Sequence, residues 1–353
     1  MPAGGSLGYF NIVKMTADFR SDTVTKPTPG MMNAMMNASV GDDVFREDPT
    51  INILEKKLAE LFKMEAAIWC ASGTMSNQIA ISAHTRPGEE VICEQESHVY
   101  YYEGGGIAFN AGCQARTLIG DRGRIRAEQV IKSINPNDVH KARTSLVCLE
   151  NTSNRGGGSC YDIEEIKKIR LVCDERHLNL HLDGARLFNA LVAKNEKPTD
   201  YGALFHSISV CFNKGLGCPA GSVLLGTEKF ILQARRVRKV FGGGLRQAGF
   251  LGATALYALD HQVNRLAEDH ERAKKIGVSL QSHPLVKMVM PVETNLVIFE
   301  LKEGEDPRRF VMQMKENNIL LLPITESRLR IVTHLDIDDT MVEKFIRVLN
   351  QIH

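Results

Sequence analysis

Apolar residues in this chain fall into two rhythms. Between Thr50 and Lys63 they recur at Ile51, Leu54, Leu58, Leu61 and Phe62, the spacing that lines one face of an α-helix, and the Asp48-Pro49 pair just before them suits a helix start. Short apolar runs then alternate with helical stretches. Strands are expected at Ala67–Cys70, Val91–Glu94, Ser145–Leu149, Leu178–Leu182, Ser207–Phe212 and Val223–Leu225, with helices between them that include Met75–His84 and Asp162–Arg176. That alternation predicts a mostly parallel sheet covered by helices on both faces. After Gly244 the pattern changes. One long helical stretch is expected from Gln247 to about His283, followed by strands at Leu296–Leu301 and Arg330–Thr333 and helices near Pro307–Asn317 and Asp338–Ile352. We read this part as a smaller C-terminal α/β domain. The chain has no internal repeats, and three Gly-Gly-Gly runs (104–106, 156–158, 242–244) mark loops where backbone approaches something closely.

Composition narrows the class. A chain of 353 residues with 43% apolar residues can bury a large core and is long enough for two domains. A net charge of +1 and the lack of long charged runs argue against nucleic-acid binding. No apolar stretch approaches the roughly 20 residues of a membrane-spanning helix. Met1 to Lys14 lacks the apolar core of a signal peptide, so it is read as a flexible extension, with Met15 as an alternative start and the cytoplasm as the expected location. The eight cysteines, at 70, 93, 113, 148, 160, 173, 211 and 218, form no CxxC pair, and several sit inside apolar runs. Free buried thiols explain them better than disulfides. His177 and His181 are four apart, but His181 lies in an expected strand, where that spacing makes no helical ligand pair. No metal is expected.

Three motifs carry chemistry. In Ser207-Ile-Ser-Val-Cys-Phe-Asn-Lys214-Gly-Leu-Gly, a lysine ends a strand-like run and meets a glycine-rich turn. A lysine desolvated in such a place loses basicity and becomes an amine nucleophile, the chemistry of Schiff-base formation with pyridoxal phosphate. Upstream, Asn179-Leu-His-Leu-Asp183-Gly-Ala-Arg186 reads as an alternating strand ending in an acid, where open α/β sheets bind ligands. A carboxylate there can keep a pyridine nitrogen protonated, and Arg186 can reach a phenolate oxygen or a substrate carboxylate. Earlier still, Ala71-Ser72-Gly73-Thr74-Met75-Ser76-Asn77 joins an apolar run to a helix. Its free backbone N–H groups and the positive end of the helix dipole make a phosphate cradle; a plain helix cap would look the same.

In this order and spacing the motifs resemble the threonine aldolase branch of the aspartate-aminotransferase-like (fold type I) pyridoxal-phosphate enzymes. Phe19-Arg-Ser21-Asp-Thr-Val-Thr-Lys-Pro27 is similar to that family's opening signature, as are Gly41-Asp-Asp-Val-Phe-Arg-Glu-Asp-Pro49-Thr50, Ser97-His98-Val-Tyr-Tyr-Tyr-Glu103 and Leu329-Arg330-Ile-Val-Thr-His334-Leu. The resemblance runs from about Thr16 to the end. It implies an α/β fold of the fold type I kind: an N-terminal arm over 1–23, a large cofactor-binding domain over 24–265 with a mostly parallel sheet, and a small C-terminal domain over 266–353. It also implies a homo-oligomer, tetramer or dimer, with active sites at subunit interfaces.

Carried over residue by residue, the resemblance makes Lys214 the Schiff-base lysine and Asp183 the partner of the pyridine nitrogen. Ser72, Gly73 and Thr74 bind the phosphate, and His98 stacks on the ring and helps in proton transfer. Ser21, Arg186 and Arg330 hold the substrate carboxylate in a planar clamp. Arg246 reaches a neighbouring subunit's site. The implied reaction cleaves threonine, allo-threonine and related β-hydroxy amino acids to glycine and an aldehyde. The alternative is a β-eliminating lyase of the same superfamily; a binding protein that kept the fold without the cofactor is the other class, against which Lys214, Asp183 and Arg330 argue. One departure stands out. In Leu149-Glu150-Asn151-Thr152-Ser153-Asn154 the family usually has histidine where this chain has Ser153. Serine is no base near neutral pH without help, so the choice between threo and allo substrates rests on Ser153, and His98 acting through water becomes a candidate base.

Overall fold

The computed structural model describes residues 16–352, so the readings of residues 1–14 and of Met15 lie outside the described residues. A two-residue strand, β1 (Ala17–Asp18), comes first. Seven strands then build the main sheet: β2 (Ala66–Cys70), β3 (Glu90–Glu94), β4 (Gln114–Leu118), β5 (Thr144–Glu150), β6 (Asn179–Gly184), β7 (Ser207–Cys211) and β8 (Ser222–Gly226). Nearer the C-terminus come β9 (Val286–Val289), β10 (Leu296–Leu301), β11 (Ile319–Leu320), β12 (Leu322–Pro323) and β13 (Arg328–Val332).

The main sheet has the order β2-β8-β7-β6-β5-β3-β4. β8 runs antiparallel to both β2 and β7, and every other neighbouring pair is parallel. Strands β2 to β7 therefore all point the same way, and their C-terminal ends share one edge. Strands β3, β5, β7 and β8 are buried along their whole length; the middles of β3, β5 and β8 accordingly read as continuous apolar runs, while β7 alternates with the buried hydroxyls of Ser207 and Ser209. Edge strand β4 exposes Gln114 and Thr117, and no apolar run announced it.

Two apolar cores organise the chain. The first contains Ile51, Leu54, Leu58 and Phe62 of the predicted stripe, together with Trp69, Leu182, Phe212 and Leu225. Helix Pro49–Phe62 starts where Asp48 accepts the Ile51 N–H and Pro49 fills the first turn. The second core gathers Ala273, Ile276, Phe299, Phe310, Ile331 and Phe345, and also Ala17 and Phe19. These two residues return from the start of the chain: β1 pairs with β11, and the Phe19 ring lies edge-on to Phe345 at 5.7 Å.

The single helix expected from Gln247 to His283 is instead two, Gly249–His261 and Leu266–Gln281. The first helix packs Ala255 and Ala258 into the first core, whereas the second sends Ala273, Ile276 and Leu280 into the other. The chain turns at Gln262–Arg265 between them, and Leu266, the first residue of the second helix, still packs into the first core.

Candidate active site

The shared edge of the parallel strands brings the three motifs together. β6 ends at Asp183-Gly184, and Asp183 is in register with Glu150, the last residue of β5, and with Ser209 of β7. Lys214 follows β7, and Ser72 follows β2. Ser72 caps helix Gly73–His84, its Oγ accepting the Met75 N–H at 3.2 Å. Gly73 has a steric reason to be glycine: a Cβ there would stand 2.5 Å from Cys211 Sγ. Ser76 fastens the same turn to β8, with Oγ 2.8 Å from Ser222 Oγ. Thr74 is exposed at the helix start. Lys214 is half-buried, and its amine has no carboxylate partner among the described residues.

Asp183 is buried and held rigidly. Its Oδ2 accepts from Asn77 Nδ2 at 2.9 Å and its Oδ1 accepts the Ala185 N–H at 3.1 Å. Asn77 Nδ2 also donates to Glu103 Oε1 at 2.9 Å, and His98 Nδ1 lies 2.8 Å from that same oxygen. Because a carboxylate only accepts, Nδ1 of His98 carries the proton and Nε2 faces outward from this bond. Burial works against a charge on His98, but the Glu103 hydrogen bond and the nearby Asp183 and Glu150 carboxylates raise its pKa above the usual histidine value. His98, Glu103 and Asp183 each place one potential ligand atom within 4.8 Å of the others. The Asn77 amide and the His98 N–H already occupy the facing carboxylate lone pairs, so the cluster is bound together by hydrogen bonds.

Glu150 was not singled out by sequence reasoning, yet it joins the two loops of the site. Its Oε2 accepts the His98 N–H at 3.0 Å and its Oε1 the Asn154 N–H at 2.9 Å. Burial, with Asp183 alongside, pushes its carboxyl up to about 7.

The two arginines of the expected clamp meet at Asn154. Arg186 is buried with both fork nitrogens on Asp22, Nε–Oδ2 at 2.6 Å and Nη2–Oδ1 at 2.7 Å. That edge of the guanidinium is held by Asp22, making a buried ion pair, and Nη1 donates to Asn154 Oδ1 at 3.3 Å. Burial would raise the Asp22 pKa, but Arg186 holds it far below the carboxylate range. Arg330 donates from Nη1 to Asn154 Oδ1 at 3.0 Å and from Nη2 to the Arg20 carbonyl at 3.3 Å, while its Nε is buried without a partner. Burial and the neighbouring Arg186 lower the Arg330 pKa. A half-buried guanidinium whose Nε–H is buried and unmet calls for an anion.

Three other expected residues sit as follows. The Ser153 hydroxyl accepts the Gly156 N–H at 3.1 Å and abuts Gly123 inside its own loop; Asn154, the next residue, is the one that meets Arg186 and Arg330. Ser21 caps the short 3-10 turn Asp22–Val24, accepting the Thr23 N–H at 3.2 Å, and so helps present Asp22. Arg246 is 61% exposed and pairs with Asp42 of its own chain at 2.8 Å, with no described contact to Asp183, Lys214 or Arg330. Sequence reasoning thus missed Asp22, Asn77, Glu103, Glu150 and Asn154. Asp22 and Glu103 lay inside quoted motifs, but their partners, Arg186 and Asn77, are far away in sequence.

An uncommitted lysine amine, a buried acid at a strand end, a glycine-started helix and an orphaned arginine N–H all fit pyridoxal phosphate and an amino-acid substrate. The fold is that of the fold type I pyridoxal-phosphate lyases. The family model described as "Beta-eliminating lyase" matches residues 18–304. The chain is 40% identical over 346 residues to a probable low-specificity L-threonine aldolase 2 of Arabidopsis thaliana, covering 96% of this chain and 97% of that one. It is 41% identical over 323 residues to the low specificity L-threonine aldolase of Escherichia coli K12, covering 91% and 94%. A solved threonine aldolase from Leishmania major superposes with a TM-score of 0.83 at 22% identity, covering 95% of this chain and 99% of that one. The chain belongs to the threonine aldolases of the beta-eliminating lyase family.

Proposed function

We propose that this protein cleaves L-threonine, L-allo-threonine and related β-hydroxy-α-amino acids to glycine and an aldehyde, with pyridoxal phosphate carried as a Schiff base on Lys214. The observation that carries this reading is the meeting of Asp183, the Lys214 segment and the helix start at Gly73 on one sheet edge, in a chain that shares 40% of its residues with a threonine aldolase.

Bound pyridoxal phosphate supplies an electron sink for the pair left on Cα when a bond there breaks. The chain's own residues decide which bond. Ser72, Gly73 and Thr74 seat the phosphate on the helix N-terminus, and Asp183 holds a proton on the ring nitrogen. His98 covers the ring. Arg330, steadied by Asn154, takes the substrate carboxylate through its free Nε and its fork. Holding that carboxylate would fix the orientation of the substrate's Cα–Cβ bond and so select it for cleavage. Because a serine hydroxyl is no base near neutral pH without help, the candidate base for the β-hydroxyl proton is His98 Nε2, reached directly or through one water. The Arg186–Asp22 pair positions Asn154 from behind.

We also propose the 24–265 and 266–353 division, a homo-oligomer and a cytoplasmic location. Exposed Phe45, Leu245 and Phe250 beside the Arg246 loop support a subunit interface there, from which Arg246 reaches the neighbour's site. Eight free, buried cysteines support a reducing compartment.

The test is a product assay. The holoenzyme given L-threonine or L-allo-threonine releases glycine and acetaldehyde in equal amounts. Ammonia and a keto acid in their place would support the β-elimination that the family description names, and would overturn the aldolase reading.

A further inference from the structure

His181 was set aside in the sequence as a strand residue without a ligand partner, and the reaction outlined above does not use it. Its surroundings give it a different role. His181 and Asp183 are two apart on β6, so they share one face of the strand. Asn77 and His84 are seven apart on helix Gly73–His84, two turns along one face. Ser207 opens β7 directly opposite His181 in the register. The five side chains meet in a line. His84 Nε2 lies 2.8 Å from Ser207 Oγ, Ser207 Oγ 2.8 Å from His181 Nδ1, His181 Nε2 3.2 Å from Asn77 Oδ1, and Asn77 Nδ2 2.9 Å from Asp183 Oδ2. His181, Ser207, Asn77 and Asp183 are buried.

The direction of every bond in this line follows from its far end. Asn77 faces two carboxylates, Asp183 and Glu103, so its NH2 must point toward them and its Oδ1 away. His181 Nε2 then meets an acceptor and must carry the proton. Burial keeps the His181 imidazole neutral, its pKa lowered to about 4, so Nδ1 is bare and accepts the Ser207 O–H. The Ser207 oxygen in turn accepts from His84 Nε2. All four hydrogens point toward Asp183, and aligned hydrogen bonds in a buried chain polarise one another.

We propose that His84, Ser207, His181 and Asn77 form a one-way hydrogen-bond relay that fixes the orientation of Asp183, with His181 as its positioning residue and its Nε2–H tautomer as the working form. The inference rests on the proposed role of Asp183 toward the pyridine nitrogen. Asn77 Nδ2 saturates one side of Oδ2 and the Ala185 N–H holds Oδ1, so the carboxylate cannot rotate away from the site. The helix that seats the phosphate at its start thereby also sets the acid for the other end of the cofactor.

Two measurements test this. In the wild-type holoprotein, nitrogen-15 NMR of the imidazoles should find His181 protonated on Nε2 alone from about pH 6 to about pH 8, the range in which an ordinary histidine changes charge. A proton on Nδ1, or a charged ring, overturns the relay. The second compares substitutions. His181→Gln keeps a donor where Nε2 stood and can still reach Asn77, while His181→Asn keeps only the Nδ1-like contact to Ser207. The relay predicts near wild-type cofactor affinity for His181→Gln and roughly tenfold weaker affinity for His181→Asn, the size expected when a buried acceptor, Asn77 Oδ1, loses its hydrogen-bond partner. Equal affinity in the two variants overturns it. Asp183→Asn separates the two claims. If it leaves cofactor affinity and spectrum unchanged, the reading of Asp183 fails whatever the His181 tautomer proves to be.

Discussion

Arg330 and Glu150 show how single side chains are set for work by what they lack. Arg330 is half-buried with its Nε–H buried and unmet, a cost that a substrate carboxylate removes on binding. Arg330→Lys keeps the charge but loses the planar fork. It should raise KM for threonine by roughly tenfold or more while leaving cofactor affinity unchanged, as steady-state kinetics and cofactor titration will report. Glu150 is set the other way. Its carboxyl, raised from 4.5 to about 7, binds a proton more readily in the folded than in the unfolded chain. The folded state is therefore favoured at low pH and loses that advantage as pH rises through the window between those two values. Glu150→Gln cannot titrate. Its melting temperature relative to wild type should rise between about pH 5 and about pH 8, and a flat difference would contradict the assignment. Neither residue's role was visible in sequence. Arg330 was named from resemblance, but its free Nε was not, and Glu150 looked like the end of an apolar strand.

At the scale of elements, what could be read was what repeats locally. The stripe at 51–62, the buried runs of β5 to β8 and the Asp183 strand end emerged because periodicity and burial are written into neighbouring residues. What could not be read depends on distant partners. Edge strand β4 has no apolar run, and the break at Gln262–Arg265 is a turn inside a stretch whose composition stays helix-like throughout. The Asp22–Arg186 pair spans 164 positions with no local mark at either end. Gly73 lies between these cases: its motif was legible, its contact with Cys211 was not. Gly73→Ala should weaken cofactor binding because the new methyl meets Cys211 Sγ. The double variant with Cys211→Ala should recover much of the loss, and both are measured by cofactor titration. Failure of the second change to help would mean that the strain lies elsewhere.

Across the whole molecule, the two cores and the returning N-terminal strand tie the start of the chain to its end. Asp22 and Arg20 come from that returning segment, and they contact Arg186 and Arg330 from different parts of the fold. The substrate clamp thus depends on the long-range closure of the chain. The cysteines are a global probe of that closure, since all eight are free and buried and burial raises the thiol pKa at each of them. A bulky thiol reagent should therefore modify none of them rapidly in the native protein and all eight after denaturation without reductant. The central claim is that one lysine, placed just past β7 on the sheet edge of Asp183 and Gly73, carries the cofactor. Borohydride reduction of the holoprotein makes the cofactor–lysine bond permanent, and peptide mass mapping then locates it. The account predicts a single pyridoxyl group, on Lys214; a label on another lysine, or no label on a protein that still releases glycine from threonine, would contradict it.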